Sequence, residues 1–225
     1  MTTSEDTRKA PSSIRAPLPR EFYHRDPHEL ALDLLGRTLV RRVDGELLAG
    51  RIVEVEAYGG PHDPASHGNS GEPTDRTRSM FGPPGTSYVY LIYGMYHCLN
   101  VVAPASEKAS AILIRALEPQ TGLETMAQNR DLGDDGADEM PLTVRKNLLS
   151  GPGKICQAME IGTDLDGVPL RDSPLWIAPG EPLSGTPREE RIRSTPRIGL
   201  NRDTVGEAVD WEWRYVDAES DYLSR

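Results

Sequence analysis

GRIVEVEAYGGPHDPASH, residues 50–67, changes character at Tyr58. Up to that point the residues alternate, so Val53, Val55 and Ala57 share one face of a strand while Glu54, Glu56 and Tyr58 share the other. Beyond it glycine, proline, serine and aspartate crowd together and the periodicity stops, which predicts a loop running to about Gly85. A loop of that length inside a compact domain is usually functional or disordered. This one carries His62, His67, Arg76 and Arg78. Two acids beside an aromatic ring on one strand face read two ways. Lining a pocket, a carboxylate there can take a proton from water as a general base; on a half-exposed strand the same pattern is a solvated acidic face.

Outward from this segment the chain alternates short strands and helices. Asp26-Pro27-His28-Glu29 supplies a cap, a proline at the first helical position and a capping-box acid. The apolar stripe Leu30, Ala31, Leu34 and Leu35 follows, and Gly36 stops the helix. Strands at 38–40 and 47–58 around Asp44-Gly45 predict a β-hairpin. Further strands are expected at 86–93, 97–102 and 111–117, helices at 122–130, 142–149 and 154–161, and a last strand at 211–215. No repeat or linker interrupts the pattern. The expectation is one mixed α+β domain over 18–216, with an N-terminal tail (1–17) and a C-terminal tail (217–225).

The 225 residues include 25 Lys and Arg against 35 Asp and Glu, a formal charge of −10 that on average argues against a nucleic-acid partner. The distribution alters that reading. Five of the acids fall in DLGDDGADE, residues 131–139, read as an exposed insert, whereas residues 186–202 hold five arginines and two glutamates, a local +3. A basic face there could meet phosphates. No apolar run approaches the ~18–20 residues of a membrane-spanning helix. The first twenty residues have no signal-peptide core, and two cysteines, Cys98 and Cys156, read as reduced thiols of a cytoplasmic protein.

Tyr88, Tyr90, Tyr93 and Tyr96 are half of the eight tyrosines in the chain. Such rings are either strand aromatics of a core or platforms for flat ligands, among which nucleobases are the commonest. Alternation sets Tyr88 and Tyr90 opposite Tyr93, which adjoins Gly94 at a turn. Gly151-Pro152-Gly153-Lys154 ahead of a helix could bind phosphate but lacks P-loop spacing. His62 and His67 could pair on a metal, but Pro64 prevents helical i, i+4 placement and no third-ligand motif accompanies them.

Taken in order, GRIVEVEAYGGPHDPASH, MFGPPGTSYVYLIYGMYHCLNVV, ILIRALEP and SGPGK resemble the 3-methyladenine (alkyladenine) DNA glycosylase family, from about Leu18 to about Val216. The resemblance implies a curved antiparallel β-sheet surrounded by helices, and removal of damaged purines from double-stranded DNA in base excision repair. It places the general base on Glu56 and the contacts to the extruded base on Tyr58, His67 and Tyr90. It assigns purine discrimination to Asn100 and a further substrate contact to Arg115. DNA contacts fall on Tyr93, as the wedge that fills the vacated space, and on Met95 and Lys154. No metal, cofactor or membrane is implied, and the protein is expected to be a monomer. The segment 104–108 looks longer than the family pattern, and the acidic insert has no counterpart with a role.

The mechanism that follows is hydrolysis through an oxocarbenium-like state, with water activated by Glu56. Lys108 and Lys154 lie outside the catalytic blocks, so Schiff-base chemistry and lyase activity are not expected. Glu54 is the rival base, because it shares the face of Glu56. Two other readings compete: a module of the same fold that grips nucleic acid without chemistry, which has no need for a carboxylate at Glu56, and a metal hydrolase built on His62 and His67.

Overall fold

The computed structural model describes Ile14 and residues 16–59, 62–103, 109–133, 139–180 and 188–224. Residues 1–13 of the expected tail, the segment 104–108 and residues 134–138 of the acidic insert lie outside the described residues. The first helix, α1 (Pro27–Leu34), starts as its sequence dictates: Asp26 Oδ1 accepts the His28 N–H at 2.9 Å and Pro27 opens the first turn. Leu30, Ala31 and Leu34 point into the core.

Among the described residues, nine strands form one antiparallel sheet. They are β1 (Thr38–Val43), β2 (Glu46–Tyr58), β3 (Ser87–Ile92), β4 (Tyr96–Ala103), β5 (Ser110–Thr121), β6 (Arg171–Asp172), β7 (Leu175–Ala178), β8 (Ile192–Thr195) and β9 (Arg214–Asp217). The order is β3-β4-β5-β2-β1-β7-β6, and β9 pairs with both β2 and β8. The β1–β2 hairpin turns through Asp44 and Gly45, both at positive φ, as a two-residue connection requires.

β2 is the hub of this sheet. β5 runs along one edge; on the other edge β1 pairs with its first half and β9 with Glu54, Val55 and Glu56. Register shifts at Ala49/Gly50 and on both sides of Glu54 break the β2–β5 ladder. Irregularities of this kind increase local twist, and the sheet curls into a half-barrel. Both faces of β2 are therefore covered. Val55 and Ala57 are fully buried on one side, and so are Glu54 and Glu56 on the other, which eliminates the solvated acidic face.

The core joins β2, β4 and β5 to α1, to α2 (Leu123–Gln128) and to α4 (Pro152–Ala158), whose Ile155 and Cys156 are buried. The helix α3 (Leu142–Asn147) covers less. A smaller cluster of Met80, Tyr88, Val102, Ala109 and Ala111 anchors the loop after β2, where Asp63, Ser66 and Thr77 are also buried. These side chains anchor the loop, while residues 72–76 are exposed.

Three expectations shift. The last strand starts at Arg214 because the backbone before it turns back on itself, the Trp213 N–H donating to the Trp211 carbonyl at 2.8 Å. The stretch set aside as a C-terminal tail packs on the sheet: Asp217 and Ser224 are buried. Near the other end, Ile14 is buried too, and its carbonyl accepts the Trp176 indole N–H at 3.0 Å. No helix among the described residues is long and apolar enough to cross a membrane.

Candidate active site

A cavity of about 650 Å³ opens between the end of β2, the β3–β4 hairpin, the start of α4 and residues 198–200. Tyr58, His67, Tyr90, Asn100, Arg115 and Lys154 all line it, and Tyr93 stands at its edge. Of the residues that the family resemblance assigns to the site, only Glu56 and Met95 do not. Met95 is 67% exposed at the hairpin tip, while Glu56 sits one layer behind the wall.

The three groups that hold Glu56 are themselves part of that wall. Tyr58 Oη donates to Oε2 at 2.9 Å, Arg115 Nη1 donates to Oε2 at 3.2 Å, and the Ile198 backbone N–H donates to Oε1 at 2.7 Å. A carboxylate has about four lone-pair sites, so one remains for a water molecule. Glu54 differs. Its oxygens accept from Arg115 Nε (3.0 Å), Arg214 Nε (2.7 Å), Ser224 N–H (2.6 Å) and Ser224 Oγ (2.7 Å). Arg115, expected at the substrate, thus spends its guanidinium chiefly on bridging the two acids. Burial and the Glu56 phenol contact hold the Tyr58 hydroxyl well above its ordinary pKa, which keeps it a donor.

Aromatic groups form the opposite wall. His67 Nδ1 lies 2.8 Å from Tyr88 Oη, and its ring meets Tyr90 edge-on at 4.7 Å. Partial burial, helped by the Arg76 cation, lowers the His67 pKa and favours neutral imidazole. Arg76 stands 5.1 Å from the Tyr90 ring centroid. Desolvation raises the Tyr88 and Tyr90 hydroxyls, so neither ionises near neutrality. Burial likewise raises the Cys98 thiol. The Asn100 amide donates to the Tyr88 carbonyl at 3.0 Å, which fixes its orientation.

At the hairpin tip Tyr93 and Gly94 both take positive φ, 54° and 69°, and the Tyr93 ring is 80% exposed. This is a tight turn that needs a left-handed residue at both central positions. A tyrosine there costs backbone energy and gains no packing, a pattern that clusters at functional sites.

Lys154 corrects the sequence reading, which set it outside the catalytic blocks. It lines the cavity, with Nζ donating to Ser150 Oγ at 3.2 Å and to Asn147 Oδ1. The expected basic face is also corrected. Arg191 pairs with Asp217 and Glu219, Arg202 with Asp210, and Arg197 is buried against Asp63. Most of the local +3 is paired with acids that lie outside that segment. Because Asp63 serves Arg197, the His62-Asp63-His67 cluster does not assemble: among the described residues no group of three His, Cys, Asp or Glu side chains could hold a metal ion.

The family model for methylpurine-DNA glycosylase matches residues 21–221, nearly the whole packed domain. The chain belongs to the methylpurine-DNA glycosylase family. Relatives named 3-methyladenine DNA glycosylase agree. One from Alkaliphilus oremlandii is 45% identical over 92% of this chain and 98% of its own length. Others from Bacillus cytotoxicus (42%, covering 94% and 100%) and Desulfitobacterium hafniense (40%, covering 92% and 98%) match as broadly. As a methylpurine-DNA glycosylase, the protein is a DNA-repair enzyme of base excision, and DNA is its substrate. The curled antiparallel sheet with flanking helices fits that family. Sequence reasoning missed the Ile198 N–H, Ser224 and the Arg197–Asp63 pair, none of which carries a local motif.

Proposed function

We propose that this methylpurine-DNA glycosylase extrudes 3-methyladenine and related alkylated or deaminated purines from duplex DNA and hydrolyses the N-glycosidic bond with water activated by Glu56. The observation that carries this reading is the donor set of Glu56. Three hydrogen bonds from cavity-lining groups fix the orientation of its carboxyl group behind the wall. Glu54, with both oxygens occupied by two arginines and Ser224, acts as the anchor for Arg115.

Extrusion costs a few kcal/mol, least at damaged or mispaired sites. Tyr93, projecting from its strained turn, fills the vacated stack, with Met95 beside it in the groove. Tyr58, His67 and Tyr90 take the purine between flat faces. Asn100, with its amide pinned, excludes guanine by meeting the 2-amino group. Lys154 sits where a neighbouring phosphate would pass. As the bond breaks, positive charge grows on the sugar, and the Glu56 carboxylate opposes it while taking a proton from water. A cationic alkylated purine leaves without protonation; a neutral lesion needs protonation on the purine.

Among the described residues Lys154 is the one lysine on the cavity wall, and its amine is engaged with Ser150 and Asn147, so we read the enzyme as monofunctional. It works as a monomer in the cytoplasm, at the nucleoid in a bacterial cell. The test uses duplexes with a single hypoxanthine, ethenoadenine or 3-methyladenine. Alkali after incubation should cut the strand, whereas without alkali the strand should stay intact and borohydride should trap no adduct. No alkali-labile site on any lesion would refute glycosylase action; a trapped adduct would refute the monofunctional reading.

A further inference from the structure

Arg197 and Asp63 form an ion pair in which neither side chain is exposed. Nη2 donates to Oδ1 at 2.8 Å and Nη1 donates to Oδ2 and, at 3.1 Å, to the Ala57 carbonyl. The guanidinium lies 4.7 Å from the Tyr58 ring centroid and 5.0 Å from that of Trp213, and its Nε has no hydrogen-bond partner. Trp213 is braced in turn by the edge of His28 at 4.6 Å, and its carbonyl accepts the Ala57 N–H at 2.9 Å. Asp63 also accepts the backbone N–H groups of Ala65 and Gly59 at 3.0 and 3.3 Å.

Neither partner lines the cavity. What the pair touches are the supports of Glu56. Tyr58, one of the three donors to Glu56, rests against the guanidinium. Ile198, a second donor, is the residue next to Arg197 in the chain. The third donor, Arg115, is held independently through Glu54 and Ser224. A fully buried ion pair is a poor source of net stability, because desolvation of both charges offsets their attraction and apolar replacements are often tolerated. Its geometry is what it contributes: it ties the end of β2, Gly59, residues 63–65 and residues 197–198 into one piece.

We propose that the Arg197–Asp63 pair is a positioning element for catalysis, fixing from behind the Tyr58 hydroxyl and the Ile198 N–H that aim Glu56 at its water. This rests on Glu56 as the base. A misplacement of about 1 Å in a catalytic constellation can cost around 100-fold in rate. Removing either charge alone strands the other in the interior, so the informative variant is the double one, Arg197→Met with Asp63→Asn. It leaves no unpaired charge, and the new amide still accepts from Ala65.

Three quantities are measured on the wild type and the double variant: melting temperature, affinity for a duplex with one ethenoadenine, and single-turnover excision at saturating enzyme. The expected result is a folded variant whose excision rate falls about 100-fold while affinity changes by less than about threefold. Wild-type excision by the folded variant would overturn the inference. So would equal losses of rate and affinity, or an unfolded variant, since either makes the pair a general structural support. A wild type that excises no lesion would overturn the Glu56 reading and this inference with it.

Discussion

Tyr93→Asn should make the protein more stable and less able to hold a lesion. Tyr93 occupies the left-handed region at φ 54°, followed by Gly94 at 69°. A side chain with a Cβ pays roughly 1–2 kcal/mol there, whereas asparagine tolerates the conformation, and Asn-Gly is the preferred pair for this turn. With 80% of Tyr93 exposed, little packing is lost on replacement. A net gain of up to about 1 kcal/mol corresponds to a melting temperature higher by about 2–4 °C in a domain of this size. The functional effect has the opposite sign. Stacking of an aromatic side chain on a base is worth about 1–3 kcal/mol, so affinity for a lesion duplex should fall by roughly 5- to 150-fold. Thermal melting and titration of an ethenoadenine duplex read the two effects separately. A lower melting temperature would refute the strained-turn argument; unchanged lesion affinity would refute the wedge.

Other outcomes follow from the same network. Glu54→Gln should retain measurable excision, because Arg115 keeps its bond to Glu56; complete loss together with an active Glu56→Gln would exchange the roles of the two acids. Deleting Ser224 and Arg225 removes both Ser224 donors from buried Glu54, and an unsatisfied buried acceptor costs about 1–3 kcal/mol, so the melting temperature should drop by several degrees. Burial lowers the His28 pKa from its ordinary 6.5, only partly offset by Asp26. The unfolded chain then takes up a proton first, so this contribution is complete above pH 6.5 and is lost as pH falls towards the depressed folded value. Melting temperatures of the wild type should decline below that pH more steeply than those of His28→Gln, and parallel curves would exclude His28 as a cause.

The parts of the fold legible in the sequence were those with local signals. Asp26-Pro27 marked α1, Asp44-Gly45 marked the first hairpin, and the alternation of 51–58 placed Glu56 and Tyr58 on one side of β2, where a direct hydrogen bond joins them. The four tyrosines marked the cavity wall and the projecting tip. What alternation could not convey was the second cover on β2. Arg214 and Ser224 arrive from some 160 and 170 residues away and cover, at Glu54, a face that reads as solvent-exposed. The same distance hid the partners of charged groups. Arg197 meets Asp63 across 134 residues and Glu54 meets Ser224 across 170, so arginines that look like a phosphate-binding face are largely paired with acids of the same chain. β6 and β8, with two and four residues, are too short to show a period at all.

The central claim is that Glu56 activates the water, and Glu56→Gln tests it most directly. Glutamine keeps the size and the hydrogen-bonding oxygen but cannot take a proton. Single-turnover excision of ethenoadenine from a duplex, followed alongside the fluorescence of the extruded base, separates chemistry from capture. Loss of the rate by about 100-fold or more, with capture preserved, is the predicted result. Excision at the wild-type rate would contradict the account.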